Sequence, residues 1–105
     1  MSKPPLILII GPTAVGKTEL SIRLAERLNG EIVSADSRLF YRGMDIGTAK
    51  PTREDCRRVP HHLIDVIDPD EDFDAERYVA VTRPLVAGVT GRGRVPLVVG
   101  GTGFY

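Results

Sequence analysis

The segment at residues 6–20, LILIIGPTAVGKTEL, decides the fold. It begins with five apolar residues in succession, which is typical of a strand covered on both faces in a parallel sheet. It continues with the spacing G-x-x-x-x-G-K-T, formed by Gly11, Gly16, Lys17 and Thr18. Glycines let backbone N–H groups converge on an anion, and a helix that begins there points the positive end of its dipole at that anion. The segment therefore predicts a phosphate-binding loop between a buried strand and a helix.

The side chains of this loop have separate chemical roles. Lys17 adds a mobile cation, and the Thr18 hydroxyl can ligate a Mg²⁺ ion that bridges two phosphates. The motif predicts binding of a diphosphate or a triphosphate, but it does not distinguish ATP from another phosphorylated ligand. The residues expected to line the phosphates are Gly11, Pro12, Thr13, Ala14, Val15, Gly16, Lys17 and Thr18.

The residues after the loop have a helical pattern. Leu20, Leu24 and Leu28 recur every four residues within residues 17–28, Ile22 and Ala25 widen this apolar stripe, and Asn29-Gly30 predicts a C-terminal stop. Residues 75–89 also have helical composition, but Pro84 predicts a kink or a break there. We interpret residues 36–62 as loop or short irregular helix, and residues 62–67 as a short edge segment.

Two more short segments, residues 31–35 and 95–99, are predicted strands. Strand, helix and strand in about thirty residues predict a βαβ unit with a right-handed crossover. The fold class is therefore α/β, a P-loop NTPase-like three-layer fold with a parallel sheet that is incomplete in this chain. We expect three strands, with the last one, ending at Val99, at an edge that nothing in the chain covers.

Polar residues and glycines follow the predicted strands. Asp36-Ser37 follows the second strand, and Gly100-Gly101-Thr102 ends the third. Ligands of open parallel sheets bind at the carboxyl ends of the strands, so these residues should share one crevice with the phosphate loop. From its position alone, Asp36 could be a general base, a group that contacts Mg²⁺ through water, or a helix N-cap.

Composition excludes few functions. The chain has 105 residues, 42% hydrophobic and 27% charged, with a formal net charge of zero, so there is no global attraction to nucleic acid or membrane. The apolar run at residues 6–10 is too short to span a membrane. Cys56 is the single cysteine, which fits a reducing, cytoplasmic setting.

Four segments resemble the tRNA dimethylallyltransferases, also called tRNA isopentenyltransferases. They occur in order along nearly the whole chain, and the long second one is the most specific. The segments are GPTAVGKT at 11–18, DSRLFYRGMDIGTAKP at 36–51, PHHLIDVIDP at 60–69 and PLVVGGTGFY at 96–105. The resemblance implies transfer of a dimethylallyl group from dimethylallyl diphosphate to the exocyclic amine of the adenine 3′ of a tRNA anticodon.

The resemblance also implies roles for individual residues. The phosphate loop would hold the diphosphate of the donor, with Mg²⁺ on Thr18. Asp36 and Thr102 would be catalytic, with Asp36 accepting the proton of the amine. Many family members carry Gln at the position of Leu39, whose side chain cannot make the same hydrogen bonds. The residues implied to contact tRNA are Asp36, Ser37, Arg38, Leu39 and Thr102.

Family members continue well beyond Tyr105, so we interpret residues 1–105 as the N-terminal part of a P-loop catalytic core that does not modify tRNA alone. Two alternatives remain open: a P-loop kinase of a small metabolite with Asp36 as the base, and a nucleotide-binding fragment without turnover. Metal binding by His61-His62 is disfavoured, because neighbouring residues of a strand point to opposite faces. Tyr78 is interpreted as a packing residue.

Overall fold

The structure, a computed structural model, describes residues 6–10, 15–35, 51–64, 67–68 and 74–100. These residues form four strands and three helices. In chain order, the elements are β1 (Ile7–Ile10), α1 (Val15–Leu28), β2 (Gly30–Ser34), α2 (Arg53–Arg58), β3 (His61–His62), α3 (Ala75–Gly91) and β4 (Val95–Gly100).

The strands form one parallel sheet in the order β1-β4-β2-β3. Leu97 of β4 pairs with Ile7 on one side and with Ile32 on the other, so the last strand lies inside the sheet. The expectation that this strand forms an uncovered edge is therefore wrong. The apolar sequence of β4 suits an interior position, where both of its edges pair and both of its faces are covered.

Helices cover the sheet on both faces. On one face, Ile22 and Ala25 of α1 pack in one cluster with Ile32 and Leu97. On the other face, Tyr78 of α3 packs in a second cluster with Val33, the neighbour of Ile32. Successive residues of a strand point to opposite faces, so the two clusters lie on opposite sides of the sheet. The three-layer α/β architecture predicted from the sequence is confirmed.

Helix α1 is confirmed, but its buried face is centred on Ile22 and Ala25, the two residues predicted to widen the stripe, and not on the leucines. Ser21, Ile22 and Ala25 are buried, whereas Leu20 is 59% exposed. Three leucines spaced by four residues drift around a helix of 3.6 residues per turn, so they do not share one buried stripe. Asn29 ends the helix with a φ of 55°, as the predicted stop requires.

Helix α3 is continuous through Pro84, so the predicted break is wrong. Pro84 cannot donate a hydrogen bond to the carbonyl of Ala80, and both residues are exposed, which lets water hydrate that carbonyl. The helix begins at Asp74, whose side chain accepts a hydrogen bond of 2.9 Å from the backbone N–H of Arg77. The N-cap at Asp74 and the burial of Tyr78 thus stabilise α3 by more than Pro84 destabilises it.

The region predicted as loop or short irregular helix contains α2 and leads into the edge strand. Thr52 and Asp55 form a capping box: the Thr52 hydroxyl accepts from the Asp55 N–H at 3.1 Å, and the Asp55 carboxylate accepts from the Thr52 N–H at 3.0 Å. An edge strand does pair with β2, but it comprises His61–His62, so it starts one residue before the predicted segment 62–67 and is much shorter.

A buried carboxylate joins three elements at the amino end of the sheet. The side chain of Glu31 is 4% exposed and accepts hydrogen bonds of 2.7 Å from both His62 and Arg92. The buried Nε atom of Arg94 lies 3.2 Å from the same carboxylate. Burial raises the pKa of Glu31. The hydrogen bonds from Arg92 and His62 lower the pKa by more than burial raises it, so the pKa lies below its ordinary value.

Glu31→Ala should therefore lower the free energy of unfolding by about 1–3 kcal/mol, because His62 and Arg92 lose their hydrogen-bond acceptor and Arg94 loses its ion-pair partner. Glu31 contributes stability above its unfolded pKa of 4.5, and this contribution is lost as the pH falls through the lower folded pKa. Urea denaturation at a series of pH values measures both effects.

The control is Glu54→Ala, which removes an exposed carboxylate from the first turn of α2 and should change stability by less than about 0.5 kcal/mol. The difference in the free energy of unfolding between wild type and Glu31→Ala should be largest near neutral pH and should decrease below pH 4.5. A difference in the free energy of unfolding that does not depend on pH would show that the charge of Glu31 does not contribute to stability.

Candidate active site at the carboxyl ends of three strands

The carboxyl ends of β1, β4 and β2 lie side by side at one edge of the sheet. Ile10 pairs with Gly100, and Ser34 pairs with Val99. The N–H of Ala35 donates a 2.8 Å hydrogen bond to the carbonyl of Val99, which extends this pairing past the end of β2. The segments that begin at residues 11, 36 and 101 therefore start from neighbouring positions, as the sequence predicted.

The phosphate-loop motif meets the start of α1. Helix α1 begins at Val15, so Gly16, Lys17 and Thr18 belong to its first turn. The backbone N–H groups of a first helical turn have no partners within the helix, which is the arrangement that an anion needs. The placement of the motif between a strand and a helix is confirmed.

The other predicted site residues lie outside the described part of the chain, and their roles stay predictions. The side chains of Val15, Lys17 and Thr18 also lie outside the described part, although their backbone belongs to α1. The residues outside are Gly11, Pro12, Thr13 and Ala14 of the loop, Asp36, Ser37, Arg38 and Leu39 after β2, and Thr102 after β4.

Gly100 permits the close approach of two strands next to the candidate site. A Cβ atom on this residue would lie 3.0 Å from the Cβ of Ala35 and 3.3 Å from its carbonyl oxygen. Ala35 directly precedes Asp36, and Gly100 lies two residues before Thr102. A side chain at position 100 would therefore push apart the ends of the two segments that lead to Asp36 and Thr102.

Tyr78 of α3 contacts the end of β2 on the face of the sheet opposite to α1. Its side chain is buried, and its hydroxyl donates a 2.9 Å hydrogen bond to the carbonyl of Ser34. The interpretation of Tyr78 as a packing residue is confirmed. This hydrogen bond links α3 to the chain two residues before Asp36, a link that no local sequence pattern signals.

An ion-pair cluster joins α2 to the helix that carries the phosphate-loop motif. Arg58 donates to Glu26 at 2.8 and 3.2 Å, and to both carboxylate oxygens of Glu19 at 3.3 Å. Hydrogen bonding to Glu26 is the main cause that raises the pKa of the Arg58 guanidinium above its ordinary value. The sequence did not predict this cluster, because Arg58 is 32 positions from Glu26 and 39 positions from Glu19, and no local pattern links residues so far apart.

The donor set limits how a metal ion could be held. Among the described residues, no group of three or more His, Cys, Asp or Glu side chains could hold a metal ion. His61 instead bonds the carbonyl of Val59 at 2.7 Å, and His62 bonds Glu31. Mg²⁺ ordinarily takes only one or two protein oxygens together with phosphate oxygens and water, so a Mg²⁺ site does not require such a group.

A parallel sheet flanked by helices, with the G-x-x-x-x-G-K-T motif running into the first helix, defines a P-loop NTPase-like α/β protein. The family described as IPP transferase matches residues 39–105, and the family described as isopentenyl transferase matches residues 4–71. The chain belongs to this isopentenyl transferase family.

Proteins with similar sequences share one name. The tRNA dimethylallyltransferase of Desulforudis audaxviator is 61% identical over 97% of this chain, and that of a Roseiflexus species is 62% identical over 96%. In both cases, the matching region is 33% of the relative. The chain therefore spans about a third of the length of the relatives it matches.

Solved structures show the same fold. The full-length tRNA isopentenylpyrophosphate transferase from Bacillus halodurans superposes with a TM-score of 0.91 and 55% identity, covering 98% of this chain and 34% of that one. A eukaryotic dimethylallyltransferase acting on tRNA has a TM-score of 0.81 and 32% identity, covering 90% of this chain and 24% of that one. In the described part of this chain, no helix has the length and apolar character needed to cross a membrane.

Proposed function

We propose that this chain is part of a cytoplasmic enzyme that transfers a dimethylallyl group from dimethylallyl diphosphate to a tRNA adenine. The acceptor is the exocyclic amine of the adenine 3′ of the anticodon. The observation that carries the proposal is the 61% identity, over 97% of the chain, to a relative named tRNA dimethylallyltransferase. The convergence of three strand ends beside the phosphate-loop motif supports a site at that edge.

The phosphate loop assists departure of the diphosphate. The donor carbon is allylic and tolerates positive charge, so the reaction mainly needs stabilisation of the leaving group. The N–H groups of the first turn of α1 and the Lys17 ammonium bind the diphosphate as its negative charge grows. A Mg²⁺ ion bound at Thr18 would supply further positive charge to the diphosphate oxygens.

The residues after β2 and β4 act on the acceptor. The exocyclic amine is a weak nucleophile, because its lone pair is delocalised into the adenine ring. Asp36 orients this amine and accepts its proton when the new carbon–nitrogen bond forms. Thr102 aligns the amine from the other side of the crevice. The target base must leave its stack to reach these residues, at a cost of a few kcal/mol.

Residues next to Asp36 hold the tRNA. Ser37 and Arg38 contact the target base or its backbone, and Leu39 can contact the tRNA only without a side-chain hydrogen bond. Binding through Arg38 is electrostatic, so it should weaken as salt concentration rises.

A P-loop kinase of a small metabolite is the competing function, and the choice of donor separates the two. We define a hybrid protein in which this chain replaces the matching third of the Bacillus halodurans protein. Calorimetric titration of the hybrid with dimethylallyl diphosphate, and separately with ATP, both with Mg²⁺, measures which ligand the loop prefers. Tighter binding of dimethylallyl diphosphate supports the proposal. Tighter binding of ATP, with phosphate transfer to a metabolite, would identify a kinase.

Gly100→Ala should slow transfer in the hybrid protein by roughly threefold to tenfold, because the added methyl group forces the ends of β2 and β4 apart by a few tenths of an ångström. The affinity for dimethylallyl diphosphate should change less. Single-turnover transfer and calorimetry measure the two quantities.

Gly91→Ala is the matched control, because a Cβ atom at Gly91 has nothing within 4 Å. Its transfer rate should equal that of wild type. An equal rate for Gly100→Ala as well would show that the close approach of the two strands has no role in the site.

A further inference from the structure

A groove lies between α2 and β3, outside the candidate active site. It has a volume of about 460 Å³, within the range of sites that hold small ligands. Its lining residues are Pro51, Thr52, Arg53, Cys56, Arg57, His61 and Ile64. None of these residues has a part in the mechanism described above.

Two arginines give this groove its charge. Arg53 and Arg57 are four residues apart on α2, so they lie on the same face of the helix, and both are exposed. Neither arginine has an ion pair with a described residue. Burial lowers the pKa of His61 below its ordinary value, so the ring is neutral near pH 7 and the arginines supply the positive charge.

The other charged groups of α2 offset the positive charge of the groove only in part: the charge of Asp55 acts on Cys56 and His61, but one carboxylate stands against two arginines. Arg58 contacts the carboxylates of Glu19 and Glu26 on α1, away from the groove. Asp55 caps the helix by accepting from the N–H of Thr52, and neither Asp55 nor Glu54 lines the groove. The helix therefore uses one arginine for attachment to α1 and presents two others to solvent.

The groove lies beside the strand that leads to the proposed site of the tRNA acceptor. Strand β3 pairs with β2 at Ile32 and Val33, at the usual strand spacing of roughly 5 Å, and Asp36 follows Val33 by three residues, which can span up to roughly 10 Å. A nucleic-acid strand with one adenine at Asp36 carries its neighbouring phosphates across the adjacent part of the sheet edge. Two guanidinium groups that have no ion pair within the described part of the chain match the charge and hydrogen-bonding geometry of such phosphates.

We propose that Arg53 and Arg57 bind backbone phosphates of the tRNA acceptor in the groove between α2 and β3. This assignment rests on the proposed function for the identity of the partner. The two arginines increase the affinity for tRNA and take no part in donor binding or in the chemical step. Their contribution is electrostatic, so it depends on salt concentration rather than on RNA sequence.

The test is the salt dependence of tRNA binding to the hybrid protein, measured by filter binding of an unmodified tRNA transcript without donor. Two phosphate contacts account for a slope of roughly 1.4–1.8 in a plot of log affinity against log salt concentration. The double variant Arg53→Gln/Arg57→Gln should lose this part of the slope. It should also lose roughly tenfold in affinity at low salt, with its calorimetric affinity for dimethylallyl diphosphate unchanged.

Two variants make the result specific. Arg53→Lys/Arg57→Lys keeps both charges and should recover most of the slope. Arg27→Gln/Arg83→Gln removes two exposed arginines from α1 and α3, outside the groove, and should keep the wild-type slope. Circular dichroism of each variant checks its folding, which the exposed positions of all four arginines should leave unchanged.

The outcomes separate this inference from the proposed function. A glutamine variant with the same slope and affinity as the Arg27/Arg83 control would overturn the role of the groove, even if the hybrid protein transfers dimethylallyl groups normally. A selective loss of slope in a hybrid that binds tRNA but transfers nothing would support the groove while the proposed reaction fails. Equal losses in the groove variant and the control would show a general charge effect and would also overturn the assignment.

Discussion

Asp36→Asn should slow dimethylallyl transfer by about 100-fold or more while leaving the affinity for dimethylallyl diphosphate nearly intact. Asparagine has almost the same shape as aspartate, but its amide cannot accept the proton of the adenine amine. Asp36 follows directly after Ala35, which pairs with β4 at the edge where the phosphate-loop motif begins. Single-turnover transfer in the hybrid protein, with donor and tRNA saturating, measures the chemical step.

The matched control is Asp74→Asn, which removes the same charge from the N-cap of α3. Asparagine caps helices about as well as aspartate, so the control should be stable and fully active. Donor binding that collapses in Asp36→Asn, with transfer preserved in the saturated enzyme, would contradict the role of Asp36 as a base. That result would assign Asp36 to the phosphate or Mg²⁺ site instead.

Lys17→Ala should weaken donor binding and slow transfer, with a combined effect of roughly 1.5–3 kcal/mol, the range of one hydrogen bond to a charged group. Lys17 lies in the first turn of α1, next to N–H groups that have no helical partner. The loss should be larger for transfer than for binding, because the negative charge on the diphosphate grows as it leaves. Calorimetry with dimethylallyl diphosphate and single-turnover transfer measure the two losses.

Arg27→Ala is the control for Lys17→Ala, since it removes one positive charge from the last turn of the same helix. Its donor affinity and transfer rate should match those of wild type. Unchanged affinity and rate in Lys17→Ala as well would remove Lys17 from the site and leave the helix N–H groups as the phosphate contacts.

The sequence was sufficient to predict the buried strands and the start of α1, because each has a strong local signal. The apolar runs of β1 and β4 are typical of strands covered on both faces, and the glycine motif requires a helix directly after it. The order of the strands had no such signal, because buried parallel strands resemble one another in sequence. The interior position of β4 depends on packing between distant residues: a Cβ at Gly30 would clash with Leu97 and lie 2.8 Å from the Val95 carbonyl.

The contacts around the site were less predictable than the motif itself. Helix α2 has no buried residue to give it an apolar periodicity, although its capping box, T-x-x-D at residues 52–55, is a local signal for a helix start. The pairing of Glu31 with Arg92 joins residues 61 positions apart, and the hydrogen bond from Tyr78 to Ser34 joins residues 44 apart. Contacts of this kind depend on the folded topology, so no spacing rule predicts them.

The most direct test of the proposed function is mass spectrometry of nucleosides from a tRNA transcript incubated with the hybrid protein, dimethylallyl diphosphate and Mg²⁺. We expect one dimethylallyl group on the exocyclic nitrogen of the adenine 3′ of the anticodon, and none when ATP replaces the donor. The unaltered Bacillus halodurans protein is assayed in parallel. Modified adenosine from that protein but none from a folded hybrid would contradict the claim that this chain supplies a working transferase site.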